Sequence, residues 1–133
     1  MTAPAASPRP PRHPFAKLVG LHLAPPAAGA CAGWLDAGPH LHNPVGIVHG
    51  GALFSLADTC MGAALFSQLP PGQNCTTVEI KINYLKSVVE GRVDCLAHVL
   101  SQGEAVAVVE ASLSQNGTPV ALCLGTFAVL RRE

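Results

Sequence analysis

After residue 50 the chain shows two successive hydrophobic patterns. Residues 52–68 are rich in alanine and leucine, contain no proline, and are apolar on nearly every side of a helix. A helix without a polar face is typical of one buried inside a domain. Pro70-Pro71-Gly72 ends this stretch, and apolar and polar residues then alternate with a period of two. Such alternation predicts strands.

The alternating part predicts four strands, over residues 77–84, 93–101, 105–114 and 120–130. Gly91, Gln102-Gly103 and Asn116-Gly117 mark the turns between them, and Asn-Gly is a strong hairpin signal. Because the connections are short, we expect the four strands to follow one another as antiparallel hairpins. In the first strand, one predicted face holds Val78, Ile80, Ile82 and Tyr84, and the other holds Thr77, Glu79, Lys81 and Asn83.

The region before the helix is less regular. Residues 1–14 are rich in alanine and proline and predict a flexible tail. Residues 15–20 predict a helical turn, residues 29–35 a first strand, and residues 38–48 a loop. Residues 15–133 therefore form a single α+β domain, in which a curved antiparallel sheet of five or so strands wraps one long buried helix.

The composition predicts association with other copies of the chain and argues against binding to nucleic acid or insertion into a membrane. Hydrophobic residues make up 49% of the 133 residues and charged residues only 12%, which leaves few charges to cover a monomer and predicts a homo-oligomer. The net charge of +0 provides no field for nucleic acid. The apolar runs are too short to span a membrane, and the N-terminus lacks the apolar core of an export signal.

The cysteines indicate a compartment. There are five, widely spaced and without a C-x-x-C motif, which predicts reduced thiols in a cytoplasmic protein. No residue pattern calls for a cofactor.

Asp58 is the most informative residue, because it lies in the middle of the apolar helix. A carboxylate in such surroundings is costly unless it is compensated, and it suits the role of a base or a nucleophile. A structural aspartate that bonds to a loop is the alternative.

Gly50 and Gly51 open the same helix, where the first N–H groups lack helical partners. Glycine allows a ligand to approach the backbone, and a carbonyl oxygen bound there would be polarised. Asp58 follows Gly50 by eight residues, roughly 12 Å along a helix. If both act on one substrate, they must come from different subunits.

A metal site is a weaker alternative. His40, His42 and His49, with Asp58, are possible ligands, but two loop histidines one residue apart make a loose site, and we predict no metal. Lys86 and Arg92 are candidates for binding nucleotide phosphates.

Residues 43–51, Asn-Pro-Val-Gly-Ile-Val-His-Gly-Gly, with Leu56-Ala57-Asp58, residues 77–85 and Gly125-Thr126-Phe127, resemble the PaaI-like hotdog-fold acyl-CoA thioesterases. The resemblance covers roughly residues 18–130. It implies a hotdog fold and dimers, commonly paired as a homotetramer, with active sites at the dimer interface and acyl-CoA as the substrate.

The resemblance also implies roles for individual residues. Asp58 would be the nucleophile or the base that activates water, and the Gly50 N–H would polarise the thioester carbonyl. Asn43 would position the thioester or the water, His49 would support the carbonyl site, and Thr77 would lie close to the attacked carbon. The predicted substrate pocket also includes Gly51, Val48, Leu53, Phe54 and Met61.

Two other functions stay open at this point. One is a hydratase or dehydratase on the same fold, and the other is a non-catalytic module that binds acyl-CoA. The His-Gly-Gly at the helix start followed by a mid-helix Asp58 favours hydrolysis over the hydratase or dehydratase. The presence of Asp58, Gly50 and Asn43 together favours it over the binding module. The acyl group, aryl or aliphatic, and the choice between CoA and an acyl-carrier protein are not determined.

Overall fold

The structure, a computed structural model, describes residues 13–131. The first twelve residues of the predicted tail lie outside this range. Pro14 already opens the first helix, and His13 caps it, since the Ala16 N–H donates to His13 Nδ1 at 3.1 Å. The helices are α1 (Pro14–Val19) and α2 (Gly50–Phe66), and the strands are β1 (Leu21–Leu23), β2 (Ala30–Ala37), β3 (Gln73–Tyr84), β4 (Gly91–Gln102), β5 (Val106–Gln115) and β6 (Thr118–Arg131).

The six strands form one antiparallel sheet in the order β1-β2-β4-β5-β6-β3. Helix α2 contacts five of these strands, so the sheet wraps the helix as predicted. The sheet has one strand more than predicted, because β1 pairs with β2. Three residues followed closely by Pro25 and Pro26 are too short a signal for a strand.

The predicted hairpin between β3 and β4 is wrong. β3 pairs with β6 at the sheet edge, and β4 pairs with β2 and β5. The connecting residues 85–90 do not form a hairpin turn, since Val88 is 1% exposed and its carbonyl accepts from the Val48 N–H at 2.7 Å. The connection is anchored in the core beneath the loop that precedes α2. A short connection limits the distance between the ends of two consecutive strands, but it does not determine that those two strands pair with each other.

A β-bulge at Val78 changes the predicted faces of β3. The register with β6 shifts between Thr77 and Glu79, which leaves Val78 61% exposed. Thr77 lies opposite the buried Phe127, on the helix side, and not on the outer face with Glu79. A bulge adds one residue to a strand and thereby reverses the alternation on one side of it.

One side of α2 forms the centre of the core. The sheet approaches it closely at Gly33, where a Cβ atom would lie 2.5 Å from Cys60 Sγ. The opposite side of α2, which includes Phe54 and Asp58, is only partly covered in the single chain, and Phe66 is exposed. The prediction of a helix buried on every side is therefore not met within the single chain, which leaves this side of α2 partly open. The buried helix residues are Ala52, Leu53, Leu56, Ala57, Cys60, Met61, Ala64 and Leu65.

The five cysteines are free thiols, and four of them are buried. A hydrogen bond with Cys60, and to a lesser extent burial, raises the pKa of the Cys31 thiol. Burial raises the pKa of the Cys123 thiol to about 11. Thiols of raised pKa are poor nucleophiles at neutral pH, so Cys31 and Cys123 serve as packing. Within residues 13–131, no helix is long and apolar enough to cross a membrane.

Candidate active site

A hydrogen bond from the sheet orients the Asp58 carboxylate. It lies on the partly covered side of α2, and the Thr77 hydroxyl donates to Asp58 Oδ1 at 2.7 Å. The bulge at Val78 places Thr77 on this side of β3. The other oxygen, Oδ2, accepts no hydrogen bond from residues 13–131, so one carboxylate oxygen is oriented and the other is free to react.

The start of α2 leaves one N–H group free. His49 is the N-cap, and its Nδ1 accepts from the Gly51 N–H at 2.7 Å. The acceptor role means that Nδ1 carries no proton in this arrangement. The Ala52 N–H donates to the His49 carbonyl. The Gly50 N–H has no acceptor within the described part of the chain, and it lies at the positive end of the helix dipole.

Asn43 is oriented by its own loop. Its Oδ1 accepts from the N–H groups of Val45 at 3.0 Å and Ile47 at 3.3 Å. Two donors on this atom identify it as the oxygen, so the side-chain NH₂ group is the end that remains available. Asn43 can therefore donate to a substrate or to a water molecule.

A pocket of about 320 Å³ joins Asn43 to the helix start. It contains four more residues of the predicted site, Gly50, Val48, Leu53 and Lys86. It also contains Tyr84, which the sequence reasoning did not select. The remaining lining residues are Ile47, Leu85, Ser87 and Val88.

The other predicted residues lie elsewhere. Gly51 and His49 line a second pocket of about 360 Å³, together with His40 and His42. Phe54 is partly buried on α2. Met61 is fully buried in the core. Arg92 lies 4.4 Å above the Trp34 ring and is paired with Asp94 at 2.8 Å, and it lines neither pocket.

Two of the three histidines considered as metal ligands, His42 and His49, have structural partners. His42 Nε2 lies 2.7 Å from the Val89 carbonyl oxygen, His49 caps α2, and Asp58 is bonded to Thr77. In residues 13–131, no three His, Cys, Asp or Glu side chains come together in a way that could hold a metal ion.

Asp58 and Gly50 lie apart in a single chain. They are separated by eight residues of a regular helix, or roughly 12 Å, and each has a different partner on β3, Thr77 for Asp58 and Tyr84 for Gly50. A carbonyl group that touches the Gly50 N–H cannot also touch Asp58 of the same copy. One chain thus presents two half-sites.

Comparison with known proteins identifies the family. Residues 45–121, more than half of the chain and the segment that carries the helix start and Asp58, match the model of the thioesterase superfamily. The chain belongs to the thioesterase superfamily. SSO1253 of Saccharolobus solfataricus, provisionally named an esterase, is 37% identical over 87 residues. These residues are 65% of this chain and 57% of the archaeal protein.

Other relatives are similar over most of their length. The 1,4-dihydroxy-2-naphthoyl-CoA hydrolase of Listeria monocytogenes is 25% identical over 119 residues, 88% of this chain and 96% of that protein. The structure of the conserved protein PA5202 of Pseudomonas aeruginosa is 41% identical, with a TM-score of 0.86, over 90% of this chain and 95% of that one. The PaaI protein of the E. coli phenylacetic acid degradation operon is 27% identical, with a TM-score of 0.81, over 91% and 86%.

These findings confirm the predicted family and fold. The thioesterase is PaaI-like, its fold is the hotdog fold, and it is a thioester hydrolase. The family assignment favours hydrolysis over the hydratase and over the non-catalytic binding module.

Proposed function

We propose that this thioesterase hydrolyses acyl-CoA to the free acid and CoA at sites shared between two copies of the chain. The observation that carries the proposal is the separation of the two half-sites on α2. A free Gly50 N–H lies in a pocket with Asn43, and a carboxylate oriented by Thr77 lies two turns further along the helix. Each half-site lacks what the other supplies.

The chemistry follows from these two groups. The thioester carbonyl oxygen accepts a hydrogen bond from the Gly50 N–H, which becomes stronger as negative charge develops on that oxygen. Asp58 of the other copy either attacks the carbonyl carbon or removes a proton from the attacking water. If Asp58 attacks, the C–S bond breaks to leave an acyl–Asp58 anhydride, which water then hydrolyses to the acid and the free carboxylate. If Asp58 acts as a base, the hydroxyl of water adds to the carbonyl carbon and the C–S bond then breaks. In both routes the acyl group keeps the hydroxyl of water, and the other proton of that water converts the departing CoA thiolate to the thiol. The Asn43 amide donates to the thioester or to the water.

A homodimer, or a dimer of dimers, would complete both the site and the core. The open side of α2 holds Asp58 beside apolar residues such as Phe54. The outer face of the sheet exposes Leu96, Leu122 and Leu124. A chain with so few charges is expected to cover such surfaces with another copy.

CoA is the proposed carrier because a basic residue stands at the pocket. Lys86 is exposed and lines the same pocket as Gly50, so its ammonium group can meet a phosphate. The Listeria relative is named for a CoA thioester with a bicyclic aromatic acyl group, which makes aryl-CoA the first class to test.

Replacing Lys86 by alanine is expected to raise KM for acyl-CoA about fivefold and to change kcat less than about twofold, because a phosphate contact binds the substrate and the transition state equally. The matched control is Lys81→Ala, an exposed lysine on β3 that lines neither pocket. The corresponding acyl thioester of N-acetylcysteamine, which has no phosphates, is expected to show no effect of Lys86→Ala. An equal rise in KM for both substrates would contradict the phosphate role.

The direct test of the proposal is release of free thiol from a panel of aryl and aliphatic acyl-CoAs and acyl-carrier thioesters. We expect turnover of at least one acyl-CoA. Turnover of carrier-protein thioesters alone would overturn CoA as the substrate, and failure to release thiol from every member would overturn the proposal as a whole.

A further inference from the structure

Two side chains hold the peptide bond between Gly50 and Gly51. The Tyr84 hydroxyl donates to the Gly50 carbonyl at 2.7 Å, and His49 Nδ1 accepts from the Gly51 N–H at 2.7 Å. These bonds fix both ends of one peptide unit, from β3 on one side and from the N-cap on the other. The Ser55 hydroxyl donates to the next carbonyl, that of Gly51, also at 2.7 Å.

Two consecutive glycines need such restraint. Glycine samples more backbone conformations than any other residue, and rotation about the bonds of Gly50 would change the direction of its N–H. A hydrogen-bond donor stabilises a developing oxyanion only when it already points at the place where the charge appears. The Gly50 N–H itself belongs to the preceding peptide, whose carbonyl, that of His49, accepts from the Ala52 N–H. With the following peptide held as well, the two backbone bonds of Gly50 cannot rotate freely, and the N–H keeps its direction.

The fit between Tyr84 and Gly50 is close. A Cβ atom at position 50 would lie 2.9 Å from both Cζ and Oη of Tyr84, so the phenol occupies the volume that a side chain there would take. The Tyr84 ring is 49% exposed and lines the pocket beside Asn43. Burial raises the pKa of Tyr84, which keeps the phenol in the protonated form that can donate.

We infer that Tyr84 is a positioning residue of this thioesterase, which orients the Gly50 N–H toward the substrate carbonyl by holding the Gly50–Gly51 peptide. The inference rests on the proposed function of Gly50. Tyr84 acts through the backbone and not on the substrate, because its hydroxyl proton is directed to the Gly50 carbonyl. The last residue of β3 thus organises one half-site, and Thr77 of the same strand organises the other.

The test is Tyr84→Phe, which removes only the hydroxyl. We expect kcat to fall about tenfold while KM stays within about twofold, since the oxyanion is stabilised mainly in the transition state. In a Gly50→Pro background, which has no N–H at position 50, Tyr84→Phe is expected to change kcat less than about twofold. Ser101→Ala, an exposed hydroxyl on β4, is the control. A tenfold loss that persists unchanged in the Gly50→Pro background would overturn the inference.

A second readout does not depend on activity. Amide hydrogen exchange at Gly51 is expected to become at least about tenfold faster in Tyr84→Phe, while exchange at Gly62, on the same helix, stays unchanged. Equal protection of Gly51 in the wild type and Tyr84→Phe would contradict the restraint itself. Loss of Gly51 protection in a protein that releases no thiol from any acyl-CoA would instead support the restraint and contradict the proposed function.

Discussion

Replacing Asp58 with asparagine is expected to lower kcat for acyl-CoA hydrolysis at least about 100-fold, because the amide is neither a base nor a nucleophile. Asparagine has nearly the same shape, and its oxygen can still accept the hydroxyl proton of Thr77. The fold around the site should therefore be kept, and the loss should fall on kcat. Steady-state thiol release gives kcat and KM, and a thermal melt checks folding.

Asp36→Asn is the matched control for this prediction. Asp36 is an exposed aspartate on β2 that contacts neither half-site, and its variant is expected to keep wild-type kcat. Near-normal turnover by a folded Asp58→Asn protein would remove Asp58 from the mechanism.

Replacing Gly50 with proline is expected to lower kcat by about 100-fold or more, the size of effect seen when one oxyanion donor is deleted. Proline has no N–H, so it removes the proposed donor itself. The helix backbone should tolerate it, because Gly50 is the first residue of α2 and proline is favoured at that position. The proline ring adds the same Cβ atom, 2.9 Å from Tyr84, that alanine would add. His49, with φ −58 and ψ 132, already has the extended backbone that a residue before proline requires.

Gly50→Ala distinguishes the loss of the N–H donor from steric crowding at position 50. Alanine introduces the Cβ atom that would press on Tyr84 but retains the N–H. We expect alanine to cost about tenfold in kcat, clearly less than proline. Equal losses in the two variants would show that the Cβ atom, and not the missing donor, causes the defect.

The local features of the fold were predictable from the sequence. The extent of α2 follows from an apolar run without proline, and its end follows from two prolines. The β5–β6 turn follows from Asn116-Gly117, which have φ values of 52° and 79°, the conformation that a two-residue hairpin turn requires. Each of these signals lies within a few consecutive residues.

Features set by contacts between distant segments were not predictable. The place of β3 beside β6 depends on how the connection through Val88 packs against the loop before α2. The bulge at Val78 is one unpaired residue, and nothing in the alternation of β3 marks it. Because the bulge shifts the alternation by one residue, the sequence pattern placed Thr77 on the wrong face of β3. It therefore gave no indication of the hydrogen bond from Thr77 to Asp58.

The candidate site was predictable in part. The motif identified Asp58, Gly50, Asn43 and His49, but Tyr84 was read only as an apolar strand residue. A tyrosine carries a hydroxyl that can donate a hydrogen bond, and this hydroxyl was the available signal. The sequence could not supply the partner, because the Gly50 carbonyl is 34 residues away along the chain.

The central claim is that one site is made of Asp58 from one copy and Gly50 from another, and mixing two inactive variants tests it most directly. Equal amounts of Asp58→Asn and Gly50→Pro chains are co-refolded or co-expressed, and thiol release is measured. Random pairing makes half of the dimers mixed, and each mixed dimer contains one intact site, so about a quarter of wild-type activity should return. A mixture as inactive as its two parents, in which tagged chains are shown to pair, would contradict the shared site.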